Sequence, residues 1–350
     1  MGALQLRYDI RSISLCRLIP MGGRRSRHRF PDPAMDLVAH PDNPIPAGAK
    51  AGFVTTEDGR RIRYARFPAT GSPLKGTVTL LQGRADFIEK YFETVEDLRK
   101  RGFAVVAFDW RGQGGSERLL ANHRRGYVDS LHEYVRDAIA VVEQVSMPDC
   151  PGPHFALCHS TGGLVALLGH ARLRTMFERM VLVSPLIGLG RYGPPQGVIA
   201  PLAAVLTAVG LAEMPLSITD TQGDNSRFAD NPLTHDEERF ARSLAILAQA
   251  PELDTGPATI GWLNAVCRAM RRVRAYDFAP EVSLPLLIVA AGADRVVSSP
   301  AAEELCSRMR AAGYVEIPGA RHELMMEADR FREQFWAAFD AFVPGSSDTA

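Results

Sequence analysis

A chain of 350 residues with 40 Lys plus Arg against 40 Asp plus Glu has no bulk charge, which argues against a general attraction for nucleic acid. The length suits one large α/β domain with an insertion, or two domains, and either buries a sizeable core. Five scattered cysteines (Cys16, Cys150, Cys158, Cys267, Cys306) include no C-x-x-C pair. They argue against a disulfide framework or a zinc site and fit a reducing, cytoplasmic compartment.

Residues 1–50 differ from the rest. Seven arginines between Arg7 and Arg29 make the first part basic, and Pro20, Gly22 and Gly23 break it. Its apolar patch at 13–19 is too short and too polar for a secretory signal. The segment reads as a disordered tail, or as an over-extended start with Met21 or Met35 as the working initiator; the competing reading is an arginine-rich presequence. No apolar run has the length of a spanning helix.

Residues 53–56 and 62–67 flank Asp58-Gly59 and predict a β-hairpin. Residues 76–81 are apolar or β-branched and predict a buried strand that ends at Gln82-Gly83-Arg84. A helix is expected over 87–101, with Ile88, Phe92, Val95 and Leu98 on one stripe and Gly102 as its stop. A second buried strand is expected at 103–108, running into the glycine-rich loop from Asp109 to Ser116. That loop has neither the P-loop nor the Rossmann spacing, so it reads as a structural rim loop. Residues 131–145 look helical, and strands follow at 154–157 and 180–183. This alternation predicts a mainly parallel sheet covered by helices on both faces, with the chemistry beyond the carboxyl ends of the strands.

From about 188 to 278 no clear strand appears. Helices are expected at 201–209, with Pro201 in the first turn, and at 237–248 and 260–273. Loops are expected at 191–195 and 222–232. The strand pattern resumes at 286–290 and 313–317, and an amphipathic helix closes at 327–342. The organisation is therefore a core of 51–188 and 279–346, interrupted by a helical cap at 189–278.

The chemistry centres on Cys158-His159-Ser160-Thr161-Gly162-Gly163, between a strand and a helix. A serine at such a turn matches a nucleophile elbow, although Cys158 stands where G-x-S-x-G has its first glycine. Alone, the stretch is equally compatible with an ordinary tight turn. Ser160 needs a base, and the base needs an acidic partner that fixes its tautomer. Asp294 and His322 follow in the order Ser, Asp, His, each just past an apolar strand. Individually they suit a turn aspartate and a surface histidine; jointly with the elbow they form a triad. His159 adjoins Ser160 but reads as structural, because neighbouring side chains at such a turn diverge. The oxyanion hole is expected from the N–H groups of Thr161 and Arg84.

In order and spacing, Gln82-Gly83-Arg84, the Asp109 to Ser116 loop, His159 to Gly163, Gly292-Ala293-Asp294 and Ala320-Arg321-His322-Glu323 resemble the α/β-hydrolase fold. Within it the chain is similar to the serine aminopeptidase-like (hydrolase-4) branch, which includes bacterial lysophospholipases and monoacylglycerol lipases. Phe87-Ile88-Glu89-Lys90-Tyr91-Phe92-Glu93 and Asn231-Pro232-Leu233-Thr234 point toward the lysophospholipase group. The resemblance covers about 52–343 and departs from the pattern at Cys158 and at Gln82, where histidine is common. It implies Ser160 as nucleophile, Asp294 as acid, His322 as base, and Arg84 and Thr161 as amide donors. No cofactor or metal is implied.

The implied substrate is a lysophospholipid or monoacylglycerol, met in the cytoplasm or during transient contact with a membrane surface. Leu202, Leu206, Leu244, Leu247 and Trp262 are the candidates to cover its acyl chain; packing of the cap onto the core is the simpler role for any one of them. The alternatives are a peptidase or another small-ester hydrolase, since fold does not fix substrate, and a non-catalytic ligand-binding protein on the same scaffold.

Overall fold

The computed structural model describes residues 36–190, 196–217 and 228–343. The arginine-rich segment, Cys16, the loop at 191–195 and residues 222–227 of the second loop lie outside them. Eight strands form one sheet in the order β1-β2-β4-β3-β5-β6-β7-β8. The hairpin β1 (Lys50–Thr55) and β2 (Arg61–Phe67) is antiparallel and lies at one edge. The remaining strands, β3 (Gly76–Leu81), β4 (Phe103–Phe108), β5 (His154–His159), β6 (Arg179–Val183), β7 (Leu286–Ala291) and β8 (Ala312–Ile317), run parallel.

Every residue of β3, β4 and β7 is buried, which is why these segments are continuously apolar or β-branched rather than alternating. Their side chains still divide by parity. Val105 and Ala107 of β4 join the core on one face, and Val106 and Phe108 join the core on the other. The first face is covered by α1 (Phe92–Lys100) and α8 (Asp329–Phe342). The second is covered by α2 (Leu131–Val141), α3 (Thr161–Leu168), α6 (Ile260–Val273) and α7 (Ser299–Ser307). Between β6 and α6 the described helices include α4 (Gln196–Ala208) and α5 (Glu237–Gln249), and no strand is formed there among the described residues. The helix α6 packs on α4 and also contributes Trp262, Val266, Met270 and Val273 to the sheet's own core.

Three local expectations are revised. The helix expected over 87–101 is divided: a 3₁₀ turn (Ile88–Tyr91) precedes α1. The Ile88 N–H donates to the Asp109 carboxylate at 2.9 Å and Glu89 is held by Arg63 at 2.8 Å, so this turn is tied to the sheet instead of continuing the helix. Pro201 is not in a first turn, because α4 begins five residues earlier. Its ring removes one helical N–H and frees the Gly197 carbonyl from its helical partner; Gly197 is exposed, so that carbonyl is open to solvent. Residues 36–49, assigned by composition to the tail, are fastened to the body. Val38 N–H donates to Glu89 Oε1 at 3.1 Å, and Asn43 Nδ2 donates to the Glu89 carbonyl at 2.9 Å.

Candidate active site

Four connections leave the carboxyl edge of the parallel strands close together: those after β3, β5, β7 and β8. Ser160 sits between β5 and α3 with φ 50° and ψ −112°, a backbone conformation that side chains rarely adopt. The turn is held by the Ser160 N–H, which donates to the Val183 carbonyl at 3.0 Å, and by the Ser160 carbonyl, which accepts from Gly163 and Leu186. Gly162 is obligatory here: a Cβ would lie 2.1 Å from the Leu81 carbonyl oxygen. Thr161 opens α3, so its N–H has no acceptor within the helix and lies at the positive end of the helix dipole.

Cys158 occupies the position of the missing glycine without disturbing the turn. Its side chain is fully buried in the core on the α2/α3 face, and burial pushes its thiol pKa well up.

Past β7, Asp294 is fully engaged. Its Oδ1 accepts from the N–H groups of Val296 (2.8 Å) and Val297 (2.9 Å), and its Oδ2 lies 2.8 Å from His322 Nδ1. In the neutral tautomer that donates from Nδ1 to this carboxylate, Nε2 is left with a lone pair. Both side chains are almost fully buried.

After β3, the loop is clamped on each side of Arg84. Gly83 N–H donates to Asp86 Oδ2 at 2.9 Å, and Ala85 N–H donates to Gln113 Oε1 at 2.6 Å. Ala85 itself has φ 61°. Between these two, the Arg84 N–H makes no hydrogen bond among the described residues. Trp110 Nε1 holds the Gln82 carbonyl at 2.9 Å. The Gln82 side chain, a departure from the family pattern, is buried with neither amide atom hydrogen-bonded to a described residue.

Asp86 was not singled out from the sequence, yet it links the loop to its surroundings. Besides Gly83 it meets Lys90 Nζ at 2.6 Å, Tyr91 Oη at 2.7 Å and His159 Nδ1 at 3.3 Å. Burial opposes ionisation of Asp86, but Lys90 and His159 override it and hold its carboxyl far below the usual range. Lys90 also meets Glu323 at 2.6 Å, beside His322. His159 packs its ring 5.0 Å from that of His322 and belongs to this supporting network. A D-x-x-x-K spacing after a strand-end loop was the only trace of it in the sequence. The Asp109 to Ser116 loop is likewise structural: Asp109 accepts from Gly115 N–H and from Arg63 Nε, both at 2.8 Å.

One cavity of about 470 Å³ gathers Ser160, Thr161, Arg84 and His322 on its wall. Leu244 and Leu247 of α5 and Trp262 of α6 line it as well. Leu202 and Leu206 do not; Leu202 is 56% exposed on the outer side of α4. Three larger hollows of about 880, 910 and 490 Å³ lie elsewhere, and neither Ser160 nor His322 lines any of them.

Residues 72–329 match the family model described as Hydrolase_4, serine aminopeptidase S33. Among curated proteins, lysophospholipase L2 of Escherichia coli (strain K12) is 29% identical over 284 residues, which is 77% of this chain and 80% of the relative. Human monoglyceride lipase is 27% identical over 245 residues, 69% of this chain and 72% of the relative. Among solved structures, a soluble variant of monoglyceride lipase from Saccharomyces cerevisiae, in complex with a substrate analog, superposes with a TM-score of 0.68 at 16% identity. The superposition covers 85% of this chain and 97% of that one. The Paleococcus ferrophilus monoacylglycerol lipase gives a TM-score of 0.58 at 21% identity, covering 81% and 99%. At these identities the structural likeness establishes the α/β-hydrolase fold.

Proposed function

Because this chain belongs to the serine aminopeptidase S33 (Hydrolase_4) family of α/β-hydrolases, we propose that it is a serine hydrolase of fatty-acyl carboxylic esters, acting through an acyl-enzyme on Ser160. The observation that carries the reading is that Ser160, held in a strained elbow, opens into the same cavity as the Asp294-bound His322.

In the proposed reaction, Ser160 Oγ attacks the ester carbonyl while His322 Nε2 takes the hydroxyl proton. Asp294 stabilises the resulting imidazolium. The carbonyl oxygen gains negative charge, and the N–H groups of Arg84 and Thr161 donate to it. Collapse breaks the carbon–oxygen bond to the alcohol, and His322 returns the proton to that leaving oxygen. Water then attacks the acyl carbon, giving its proton to His322, and the second collapse frees the fatty acid and Ser160. The acyl chain lies against Leu244, Leu247 and Trp262. Lysophospholipids and monoacylglycerols, the substrates after which the relatives are named, are the proposed class.

The site is proposed to meet its substrate at a membrane surface. Val198, Leu202, Val205 and Val209 recur at helical spacing along and just beyond α4, each more than half exposed, and Met214 and Leu216, a few residues on, are exposed as well. No helix among the described residues is long and apolar enough to cross a membrane. The deciding experiment is a hydrolysis panel of acyl esters, lysophospholipids and aminoacyl amides, run with Ser160→Ala and Asp294→Asn. Ester turnover that disappears with Ser160→Ala, and falls about 10³-fold or more with Asp294→Asn, supports the proposal. Full activity in Ser160→Ala refutes the mechanism, amide preference supports a peptidase, and binding without turnover supports a scaffold protein.

A further inference from the structure

Among the described residues, the fully buried arginines Arg63 and Arg111 are matched to carboxylates, whereas Arg84, half-buried on the cavity wall, is not. Arg63 lies between Glu89 and Asp109 at 2.8 Å from each. Arg111 meets Asp58, Glu133 and Asp137 at 2.6–3.1 Å. In both, burial alone would lower the pKa, and the carboxylates reverse the sign and raise it. Arg118 has no carboxylate at contact distance, but its fork is filled by the carbonyls of Gly112, Gly114, Glu252 and Asp254. Arg84 has neither solution.

Among the described residues the Arg84 guanidinium donates once, from Nη2 to the Gly256 carbonyl, and its buried Nε has no partner. It forms no salt bridge among the described residues. Its Cζ lies 5.3 Å from the centre of the Trp262 ring, a cation–π contact that fixes the plane of the fork. Gly126 and Gly256 flank it, and a Cβ at Gly126 would come within 3.2 Å of Nη2. Burial, incompletely offset by Tyr134, Asp254 and Asp86, lowers its pKa from the ordinary arginine value. A guanidinium remains charged regardless, so this side chain keeps a full positive charge on the cavity wall.

The carboxylates on the same wall are already engaged. Asp86 and Glu323 share Lys90 at 2.6 Å each, and Asp254 meets Arg124 at 2.6 Å. Within this cavity the place prepared for an anion is therefore Arg84. It is also the residue whose own N–H is the proposed donor to the ester carbonyl oxygen, so the reach from that oxygen to the guanidinium is one arginine side chain, about five bonds from Cα to Cζ. In a 1-acyl-glycerophosphodiester, the phosphorus lies about five bonds from the bridging ester oxygen and about seven from the carbonyl oxygen, which matches the arginine path once its N–H···O hydrogen bond and N–Cα bond are counted.

We infer that the Arg84 guanidinium is a head-group clamp: it receives the phosphate of an acyl-glycerophosphodiester and so selects lysophospholipids over neutral monoacylglycerols. The inference rests on the ester-hydrolase reading above and narrows it to one substrate class. Arginine suits the role because its planar fork pairs two donors with two phosphate oxygens. The contribution should appear in KM for the charged substrate, since the phosphate takes no part in bond breaking.

The test compares wild type with Arg84→Lys and Arg84→Gln on two monomeric substrates of identical short acyl chain, a 1-acyl-glycerophosphodiester and a 1-acylglycerol. The readout is the ratio of kcat/KM for the two substrates within each protein, so any general loss cancels. Wild type is expected to prefer the phosphate-bearing substrate at least tenfold; Arg84→Gln loses that preference, chiefly through KM, and Arg84→Lys keeps part of it. A wild-type enzyme that hydrolyses both esters equally overturns the clamp while leaving the ester-hydrolase reading intact. Equal loss on both substrates in Arg84→Gln assigns the side chain to loop support and also overturns it. Inorganic phosphate serves as a competing ligand: inhibition by it without any substrate preference assigns the site to a free anion and overturns the head-group role. No hydrolysis of either ester is the separate failure of the parent reading.

Discussion

The Gly83 N–H donates to the Asp86 carboxylate at 2.9 Å, and this bond decides which amide of the β3 loop remains open. With Gly83 tied to Asp86 and Ala85 tied to Gln113, the Arg84 N–H is the one left to face the developing oxyanion in the proposed reaction. Asp86→Ala should therefore lower kcat by about ten- to a hundredfold, approaching the cost of losing an oxyanion donor, with a smaller effect on KM. Asp86→Asn, which keeps an acceptor for Gly83, should recover part of the loss. Steady-state kinetics on a soluble ester checks both, and equal changes in kcat and KM for the two variants would contradict the positioning role.

Cys158 fills a glycine position by turning its side chain into the core. Cys158→Gly should keep ester turnover within about threefold, while the lost packing lowers stability by about 1–2 kcal/mol. The buried thiol, with its raised pKa, should resist iodoacetamide in the native protein at neutral pH and react only on unfolding. Mass spectrometry of native and denatured samples distinguishes these outcomes. A large loss of turnover in folded Cys158→Gly would reveal a role in the elbow beyond filling space.

Glu93 of α1 joins the α5 segment to the core through Arg239 at 2.6 Å and through Arg242. Burial raises its pKa, but the hydrogen bonds of Arg239 and the charges of Arg332, Arg239 and Arg242 outweigh this and set it at about 2, against 4.5 ordinarily. The folded-state pKa is depressed, so the stabilisation is present above about pH 4.5 and is lost as pH falls toward 2. Glu93→Gln should cost about 1–2 kcal/mol at pH 7. Melting curves should show the gap between wild type and variant hold from pH 7 to 5 and narrow below 4.5. A gap unchanged down to pH 3 would exclude the linkage.

The outward stripe of α4 makes a prediction that can be separated from chemistry. Leu202→Glu with Val205→Glu should weaken vesicle binding about tenfold or more, from the apolar area no longer buried and the added negative charge. Turnover of a monomeric short-chain ester should stay within about twofold. Co-sedimentation with lipid vesicles measures the first and a soluble assay the second. Unchanged sedimentation would remove this face as the membrane contact.

The strands were legible because burial on both faces demands unbroken apolar runs; β3 and β4 begin and end where the composition changes. The Ser, Asp, His order was legible because each residue follows a strand end, and a parallel sheet gathers those ends on one edge. What could not be read was pairing. Nothing in the local sequence distinguishes Arg84, without a carboxylate, from Arg63, which has two. Asp86 became visible only once β5 brought His159 beside it. The divided helix at 88–100 was hidden for the same reason, since Asp109 and Arg63, distant in the chain, hold its first turn. Leu202 and Leu244 both read as cap apolar residues, but only the tertiary arrangement sends one outward and the other into the cavity.

The order of strands carries a consequence for the newborn chain. The proposed nucleophile follows β5, its proposed acid follows β7 and its proposed base follows β8, with His322 162 positions after Ser160. Closing so long a loop is slow, and a ribosome delivers the base last. On the proposed mechanism, a growing chain that has already folded β3 to β6 holds the elbow serine without the histidine that would deprotonate it. Esterase activity would, on that mechanism, emerge only when β8 docks on β7, so the onset of turnover during synthesis would time the final step of sheet assembly.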